Sequence, residues 1–283
     1  MTDGLTRVRL AVCQVDGVAA RSDRSVLRAA VREAADAGAR LVVLPELAAC
    51  GGVFTSDAQA RAAAEPLDGP TVALCAELSV EHGVVVVVGL AETGAGGAVH
   101  NTAVVLDDGA VVATYRKVHL WGAEKLAFEP GADPPPVVQT SAGRIGVMIC
   151  YDLEFPEWVR MAAEAGAEVV VVPANWPVRS GGDPQRPFEI VKAQAAAVTY
   201  RVNIAVADRC GEEDGVDWYG GSLVCDVDGM LLAGPACGLD GTPPGPSTPL
   251  VLLADVDLAA ARDKRLGRFN DAMADRRPDL YDG

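Results

Sequence analysis

Short apolar runs alternate along the chain with longer segments of helical periodicity. Runs of roughly four to eight apolar and β-branched residues predict buried strands. One of them, Val84–Gly89, has no polar alternation, which predicts a strand covered on both faces. The predicted strands are Val8–Val15, Leu41–Leu44, Val84–Gly89, Thr102–Leu106, Ala110–Tyr115, Arg144–Ile149, Glu168–Val172, Asn203–Ala207, Ser222–Cys225, Met230–Ala233 and Val251–Val256.

Four segments between these runs have the signals of helices. In Ser22–Gly38 an apolar stripe of Leu27, Val31 and Ala34 follows a predicted N-cap at Ser22, and Gly38 suits the position after the helix. Pro70 opens a second helix, which Gly83 closes. The predicted helices are Ser22–Gly38, Pro70–His82, Pro156–Gly166 and Pro187–Arg201.

The order of these elements indicates the fold class. Turn residues at 107–109 and 226–229 join neighbouring strands into hairpins, whereas the helices separate other strands. This mixture predicts an α/β protein with mixed sheets and helices outside, in a single domain over residues 1–283. Gly234–Pro249 is predicted to be a loop inside the domain. The tail, about 257–283, is expected to pack on the domain or on a second subunit.

Composition limits the possible partners. The chain has 283 residues, of which half are hydrophobic, and 24 basic against 39 acidic residues give a net charge of −15. Nucleic acid and anionic membranes would be repelled. The longest apolar stretches, such as Val84–Ala91, are too short to span a bilayer, and no secretory leader is recognisable. The protein is expected to be soluble and cytoplasmic.

The cysteines and histidines give no sign of a disulfide framework or a metal centre. Seven cysteines are an odd number without a C-x-x-C pair, which favours a reducing compartment. Three scattered histidines argue against zinc. The glycine run at 94–97 does not match a dinucleotide fingerprint. Neither a metal nor another cofactor is predicted.

Three reactive side chains stand just past predicted strands. Glu46 follows an apolar run and a proline, Lys117 follows Ala110–Tyr115, and Cys150 follows Arg144–Ile149. In layered α/β proteins, chemistry gathers at strand ends. A buried glutamate or lysine must pair or shift its pKa, and a mutual Glu–Lys site beside a thiol satisfies that need. Together the three groups predict a cysteine nucleophile.

Several segments around these residues resemble the nitrilase superfamily, the carbon–nitrogen hydrolases. The segments at 44–46, 115–120 and 150–157 resemble the three signature motifs, in the same order and at similar spacing. Residues 124–131 resemble the stretch that carries the family's second glutamate. Segments 173–177, 201–203 and 219–222 and the tail at 276–281 also agree, so the resemblance covers nearly the whole chain.

The resemblance implies a four-layer α-β-β-α sandwich that pairs through helices into a homodimer or a higher homo-oligomer. The implied reaction is hydrolysis of a small amide, with Glu46 as general base and Cys150 as nucleophile. Lys117 and the backbone N–H of Tyr151 would stabilise the oxyanion. Glu124 would orient Lys117 or the substrate nitrogen.

Other residues have weaker assignments. Asn175 and Trp176 are candidates for the acyl pocket. His119 could act as the base of a Cys–His pair, but a structural role is favoured. After the glutamate the family often carries Gly-Tyr, whereas this chain has Gly51-Gly52, so the absent ring is expected to reshape the pocket.

The activity within the family is less closely determined. The segment from His119 to Phe128 looks most like the branch of R-stereoselective amidases, acting on small aliphatic or amino-acid-like amides. A nitrilase and an N-carbamoyl amino acid or β-ureidopropionate amidohydrolase need the same three groups and stay open as alternatives. A non-catalytic binding protein on the same fold is a distant alternative, because it would not need all three groups.

Overall fold

A computed structural model describes residues 6–178, 187–237 and 248–281. The strands are β1 (Arg7–Asp16), β2 (Leu41–Val43), β3 (Val85–Thr93), β4 (Val99–Asp107), β5 (Ala110–Arg116), β6 (Val137–Thr140), β7 (Gly143–Val147), β8 (Val169–Pro173), β9 (Asn203–Ala207), β10 (Arg209–Cys210), β11 (Glu212–Glu213), β12 (Val216–Asp217), β13 (Leu223–Cys225), β14 (Leu231–Ala233) and β15 (Leu250–Asp257). The helices are α1 (Gly17–Ser22), α2 (Ser25–Asp36), α3 (Asp57–Ala63), α4 (Pro70–His82), α5 (Pro156–Glu164), α6 (Phe188–Tyr200), α7 (Leu258–Arg262) and α8 (Pro278–Tyr281).

Two mixed sheets hold most of the strands. The first has seven strands in the order β10-β1-β2-β3-β4-β5, with β15 also paired to β1. The second has six strands in the order β14-β13-β9-β8-β7-β6. The β1, β2 and β3 strands run parallel, as do β7, β8 and β9, and hairpins extend the sheets. The parallel strands are valine-rich and buried, as expected for strands covered on both faces.

The sheets pack face to face, and helices cover their outer faces. Alternate residues of β1, such as Leu10 and Val12, share one core with Val147 and Val171 of the second sheet. The intervening residues of the first sheet pack on α2 and α4. Helices α5 and α6 cover β7, β9 and β13. The predicted four-layer α-β-β-α sandwich is confirmed; that residues 1–283 form one domain stays a prediction.

The helix predicted over Ser22–Gly38 is wrong at its start. Ser22 ends α1 instead of capping one long helix. The true N-cap of α1 is Asp16, whose Oδ1 accepts hydrogen bonds from Val18 N and Ala19 N. Asp23 then adopts an extended conformation and its carboxylate accepts bonds from the backbone and hydroxyl of Ser25, which separates α1 from α2. The apolar stripe of Leu27, Val31 and Ala34 lies wholly within α2, so it does not determine where the helix begins, and the Asp23–Ser25 contacts mark that start.

Most other element predictions are confirmed within two or three residues. The Pro70–His82 helix and the Asn203–Ala207 strand have the predicted bounds, and both hairpins are present. Strand β3 runs to Thr93, beyond its predicted end, because it pairs with all of β4. Residues 238–247 of the predicted loop Gly234–Pro249 lie outside the described part of the chain.

Two residues of the tail contact helices of the same chain. Lys264 donates hydrogen bonds from Nζ to the backbone oxygens of Tyr200 and Arg201 at the end of α6, 3.1 and 2.7 Å long. Arg276 forms an ion pair with Glu164 at the end of α5. Two apolar side chains of the tail, Phe269 and Leu280, are exposed. Packing of these side chains on a partner subunit stays a prediction.

No helix in the described ranges is long and apolar enough to cross a membrane.

Candidate active site

Strand ends from both sheets bring three reactive side chains to one cavity. Glu46 lies three residues after β2, Lys117 directly follows β5, and Cys150 opens a short 3-10 turn after β7. All three line a cavity of about 200 Å³. The glutamate, lysine and cysteine predicted to act together are therefore neighbours in space.

The Lys117 ammonium lies between two carboxylates. Its Nζ is 2.6 Å from Glu46 Oε1 and 2.8 Å from Glu124 Oε2. The side chains of Lys117 and Glu46 are each 1% exposed. Asn101 Nδ2 donates hydrogen bonds to both glutamates, at 2.6 Å to Glu46 and 3.1 Å to Glu124. Such mutual pairing offsets the cost of burying three charged groups.

The position of Glu124 is fixed by its own turn. Its Oε2 accepts a hydrogen bond of 2.8 Å from Trp121 N at the start of the 3-10 turn Gly122–Leu126. The same carboxylate contacts Lys117 through both oxygens. Of the two roles expected for Glu124, the geometry favours orienting Lys117.

The cluster has strongly perturbed proton affinities. Burial raises the pKa of Glu46 to about 7, against the lowering effect of the Lys117 ammonium, and the Glu124 carboxylate adds to the rise. Burial alone would lower the pKa of Lys117, but the two carboxylates outweigh it and hold that pKa well above its usual value. Lys117 is therefore charged at neutral pH, whereas Glu46 can gain or lose a proton there, as a general base requires.

Cys150 has an unusual backbone and a suppressed acidity. Its φ of 48° lies in the left-handed region, which residues other than glycine rarely adopt. Residues with such backbone angles cluster at functional sites. Burial raises the pKa of the thiol well above its usual value; the Glu46 charge adds to this and Lys117 opposes it. A raised pKa favours the neutral thiol, and a thiol must lose its proton to act as a nucleophile.

A buried carboxylate supports the turn that carries the thiol. Asp152 is fully buried and accepts hydrogen bonds from the Tyr115 hydroxyl at 2.8 Å and from Ile149 N at 3.0 Å. It also accepts bonds from the backbone and ring nitrogens of His119, at 3.0 and 2.7 Å. These contacts tie the strand end before Cys150 to the segment after Lys117. His119 faces Asp152 and stacks on Phe155, which fits the favoured structural role.

The three residues predicted to contact substrate lie beside Cys150. Asn175 lines the 200 Å³ cavity, and its backbone oxygen is 3.8 Å from Cys150 Sγ. Tyr151 and Trp176 instead line a smaller adjoining cavity of about 30 Å³, which Cys150 and Asn175 also border. The Tyr151 ring contacts Trp121 and Phe155. Trp176 is buried at 3% exposure.

The space beside Gly52, where the family often carries a ring, is already filled. A Cβ placed on Gly52 would lie 3.0 Å from both Asn175 Nδ2 and Trp218 Cζ2. Asn175 and Trp218 thus occupy the space beside Gly52. That the Gly51-Gly52 departure reshapes the pocket stays a prediction. Cys50 lies in a separate cavity beside Val53 and Phe54 and is not among the residues that line the one with Cys150.

Three further site residues were not predicted from the sequence: Asn101, Arg209 and Trp218. Arg209 is 1% exposed, and its guanidinium donates to Asn175 Oδ1 at 3.0 Å and to Leu47 O at 2.9 Å. It also forms an ion pair of 2.7 Å with Glu213. Arg209 follows the apolar strand β9 after one aspartate, so its place at a strand end, the pattern that identified Glu46, could have indicated it.

Within the described ranges, no cluster of three or more His, Cys, Asp and Glu side chains has a metal-binding arrangement.

A thiol beside a buried carboxylate–ammonium–carboxylate cluster, on this layered fold, defines a hydrolase with a cysteine nucleophile. The family model described as carbon–nitrogen hydrolase matches residues 9–265, and the chain belongs to this family. The predicted resemblance is thereby confirmed.

Individual relatives agree with this assignment. The chain is 32% identical to a nitrilase of Pyrococcus abyssi, over 97% of this chain and 99% of the relative. It is 35% identical to an (R)-stereoselective amidase of Pseudomonas sp., over 68% and 67% of the two chains.

Solved structures resemble the chain in fold. A mutant amidase from Nesterenkonia sp. AN1, with the acetamide moiety of fluoroacetamide attached to its active-site cysteine, has a TM-score of 0.74 and 28% identity, over 100% of this chain and 98% of the other. A carbon–nitrogen hydrolase from Helicobacter pylori G27 has a TM-score of 0.85 and 25% identity, over 98% and 97%.

Proposed function

We propose that this enzyme is a thiol amidase that hydrolyses small linear amides to a carboxylic acid and ammonia through a thioester on Cys150. The observation that carries the proposal is the buried Glu46–Lys117–Glu124 cluster, which opens into the same cavity as the thiol. The covalent adduct on the active-site cysteine of the Nesterenkonia amidase supports the choice of nucleophile.

Acylation begins with proton transfer from Cys150 to Glu46. The thiolate attacks the amide carbon, and the carbonyl oxygen becomes an oxyanion. Lys117 and the backbone N–H of Tyr151 stabilise this charge. Glu46 returns the proton to the nitrogen as the C–N bond breaks, and ammonia leaves. Covalent catalysis divides one difficult step into two easier ones.

Deacylation uses the same groups, with water as the nucleophile and the Cys150 sulfur as the leaving group. Glu46 takes a proton from water, the resulting hydroxide attacks the thioester carbon, and the C–S bond breaks to release the acid. The proton held by Glu46 restores the Cys150 thiol. Glu124 acts here as a positioning residue through Lys117, while Asn175 and Trp176 border the space for the bound amide.

The test is ammonia release from a panel of small amides, nitriles and N-carbamoyl amino acids. Release from amides by the wild type supports the amidase. Release mainly from nitriles or carbamoyl compounds would keep the cluster but replace the reaction with one of the two alternatives. Silence across the panel would contradict catalysis and favour the binding-protein alternative.

Glu124→Gln should move the acid limb of the pH–rate profile to lower pH. The Glu124 charge raises the pKa of Glu46, so its removal lowers that pKa and leaves more of the base form below pH 7. The measurement is kcat/KM for one good amide as a function of pH. Glu129→Gln, an exposed glutamate nearby, should leave the limb unchanged. A limb that moves to higher pH would contradict the assignment of Glu46.

We also propose a homodimer formed through α6. Its exposed face carries Phe188, Val191 and Val198, which are 48%, 46% and 44% exposed and share one side of the helix. Adjacent exposed apolar side chains on a helix indicate an interface. Phe269 and Leu280 of the tail would extend it.

Val191→Glu with Val198→Glu should convert the dimer to a monomer, because two charges would be buried in the interface. Light scattering coupled to size-exclusion chromatography measures the mass. Val80→Glu changes a valine on α4 that is more exposed, at 59%, and should leave the dimer intact. A wild-type monomer, or a double variant that stays dimeric, would contradict the proposal.

We further infer a cytoplasmic location, because all seven cysteines are free thiols and the proposed nucleophile must stay reduced. Cell fractionation tests this inference. Recovery from an oxidising compartment would contradict it.

A further inference from the structure

A short hairpin forms one wall of the active-site cavity. Strands β11 and β12 pair only with each other among the described strands, as a separate two-stranded sheet. Val216 lies on β12 and Trp218 follows it, and both line the 200 Å³ cavity. Val178 N donates a 2.8 Å hydrogen bond to Asp217 O, which joins the hairpin to the segment after Asn175.

Buried contacts hold this wall in place. Glu213, which lies beside the turn of the hairpin, is 2.7 Å from Arg209 Nη1 and accepts a 2.7 Å hydrogen bond from Gly52 N. The Arg209 guanidinium also lies 5.5 Å from the centre of the Trp218 ring. Arg209 also donates a hydrogen bond to the backbone oxygen of Leu47, the residue after Glu46. Arg209 therefore contacts both the hairpin wall and the segment that carries Glu46. The shape of the cavity is therefore preformed.

Away from the reacting groups the lining of the cavity is mainly apolar, with Thr55 and Asn175 as polar members. Val216 and Trp218 form one wall, and Val53, Phe54 and Trp121 also line it. Among the described residues that line it, Lys117 is the single cation, and it is engaged by two carboxylates. The nearby Arg209 guanidinium is paired with Glu213. A substrate whose acyl group carries a carboxylate would therefore bury that charge without an available cation and close to the carboxylates of Glu46 and Glu124. Burying an unpaired charge is costly.

We propose that the enzyme selects amides whose acyl group is uncharged, apolar and about the size of a six-membered ring, with Val216 and Trp218 as the specificity-determining residues. This inference rests on the proposed amidase function. The volume supports the size, since an apolar protein cavity of roughly 150 Å³ is known to hold benzene, and this one is about 200 Å³.

Two substrate comparisons test the proposal with the wild-type enzyme. Phenylacetamide should exceed acetamide in kcat/KM by at least about tenfold, because each buried methylene-sized group is worth about fourfold. The neutral 4-methylpentanamide should exceed succinamate, which has the same number of heavy atoms but carries a carboxylate, by about 100-fold or more. Equal or reversed preference in either pair would overturn the proposal while leaving the amidase in place.

Variants then assign the selection to the hairpin. Trp218→Ala should lower kcat/KM for phenylacetamide about tenfold more than for acetamide, since an aromatic contact is lost. Val80→Ala, at an exposed apolar residue on α4 outside both the cavity and the proposed dimer interface, is the control and should change neither value. Val216→Arg should raise the ratio of succinamate to 4-methylpentanamide by at least about tenfold, because it supplies the missing cation. An unchanged ratio in folded Val216→Arg and equal losses in Trp218→Ala would overturn the role of the hairpin.

Discussion

Cys150→Ala is expected to lower kcat/KM for the best amide by about 10⁵-fold or more, the scale at which loss of a covalent nucleophile removes catalysis. The thiol is the group in the cavity that can form a thioester, and water cannot use the same site as efficiently without it. Ammonia release measures the loss, and mass spectrometry of the wild type incubated with fluoroacetamide should find the adduct on the peptide that contains Cys150.

The matched control is Cys75→Ala. Cys75 is also a fully buried thiol, but it lies on α4 in the core between that helix and the first sheet. The control should retain activity within about threefold, because a buried cysteine there is only a small hydrophobic side chain. Activity that survives in Cys150→Ala, or that disappears equally in Cys75→Ala, would contradict the mechanism. Circular dichroism of both variants confirms that a loss is not unfolding.

The reactive groups were predictable because each one follows an apolar strand in sequence. The chain itself places Glu46, Lys117 and Cys150 at strand ends, and the layered fold brings such ends together. The capping error at Ser22 has the opposite origin. The apolar stripe begins only at Leu27 and therefore does not show where the helix starts. The hydrogen bonds from Ser25 to the Asp23 carboxylate separate α1 from α2, and such side-chain bonds act over only a few residues.

The shape of the pocket was not predictable, because its contacts join residues far apart in sequence. Arg209 bonds to Leu47 across 162 positions, and Trp218 fills the space beside Gly52. Neither contact leaves a local pattern, whereas a strand or a cap does. The sequence could therefore indicate the chemistry, while the acyl preference depends on tertiary packing.

Lys117→Met should abolish most activity and also destabilise the fold. The ammonium is the shared partner of Glu46 and Glu124, so its removal leaves two buried carboxylates beside each other. Breaking a buried ion pair typically costs about 3–5 kcal/mol in the free energy of unfolding. Loss of the oxyanion partner and of the base form of Glu46 together should lower kcat/KM by roughly 10³- to 10⁵-fold.

The loss of stability should grow with pH, and the sign follows from Glu46. In the wild type, burial raises the pKa of Glu46 to about 7 even though Lys117 lowers it, so without Lys117 this pKa rises further. A carboxyl group whose pKa is higher in the folded than in the unfolded state binds more protons when folded. The free energy of unfolding then falls as the pH rises from the unfolded pKa, near 4.5, to the folded pKa. Urea unfolding at pH 6 and pH 9 should therefore show the larger deficit at pH 9.

A second substitution separates the two effects of Lys117→Met. Adding Glu46→Gln removes the charge that the lost ammonium had balanced, so the double variant should recover part of the stability and most of the pH dependence should vanish. It should recover no activity, because the general base is also gone. Lys125→Met changes an exposed lysine in the neighbouring turn and should alter neither property. A deficit in Lys117→Met that is equal at both pH values, and unchanged by Glu46→Gln, would mean that Lys117 acts through packing and not through its charge.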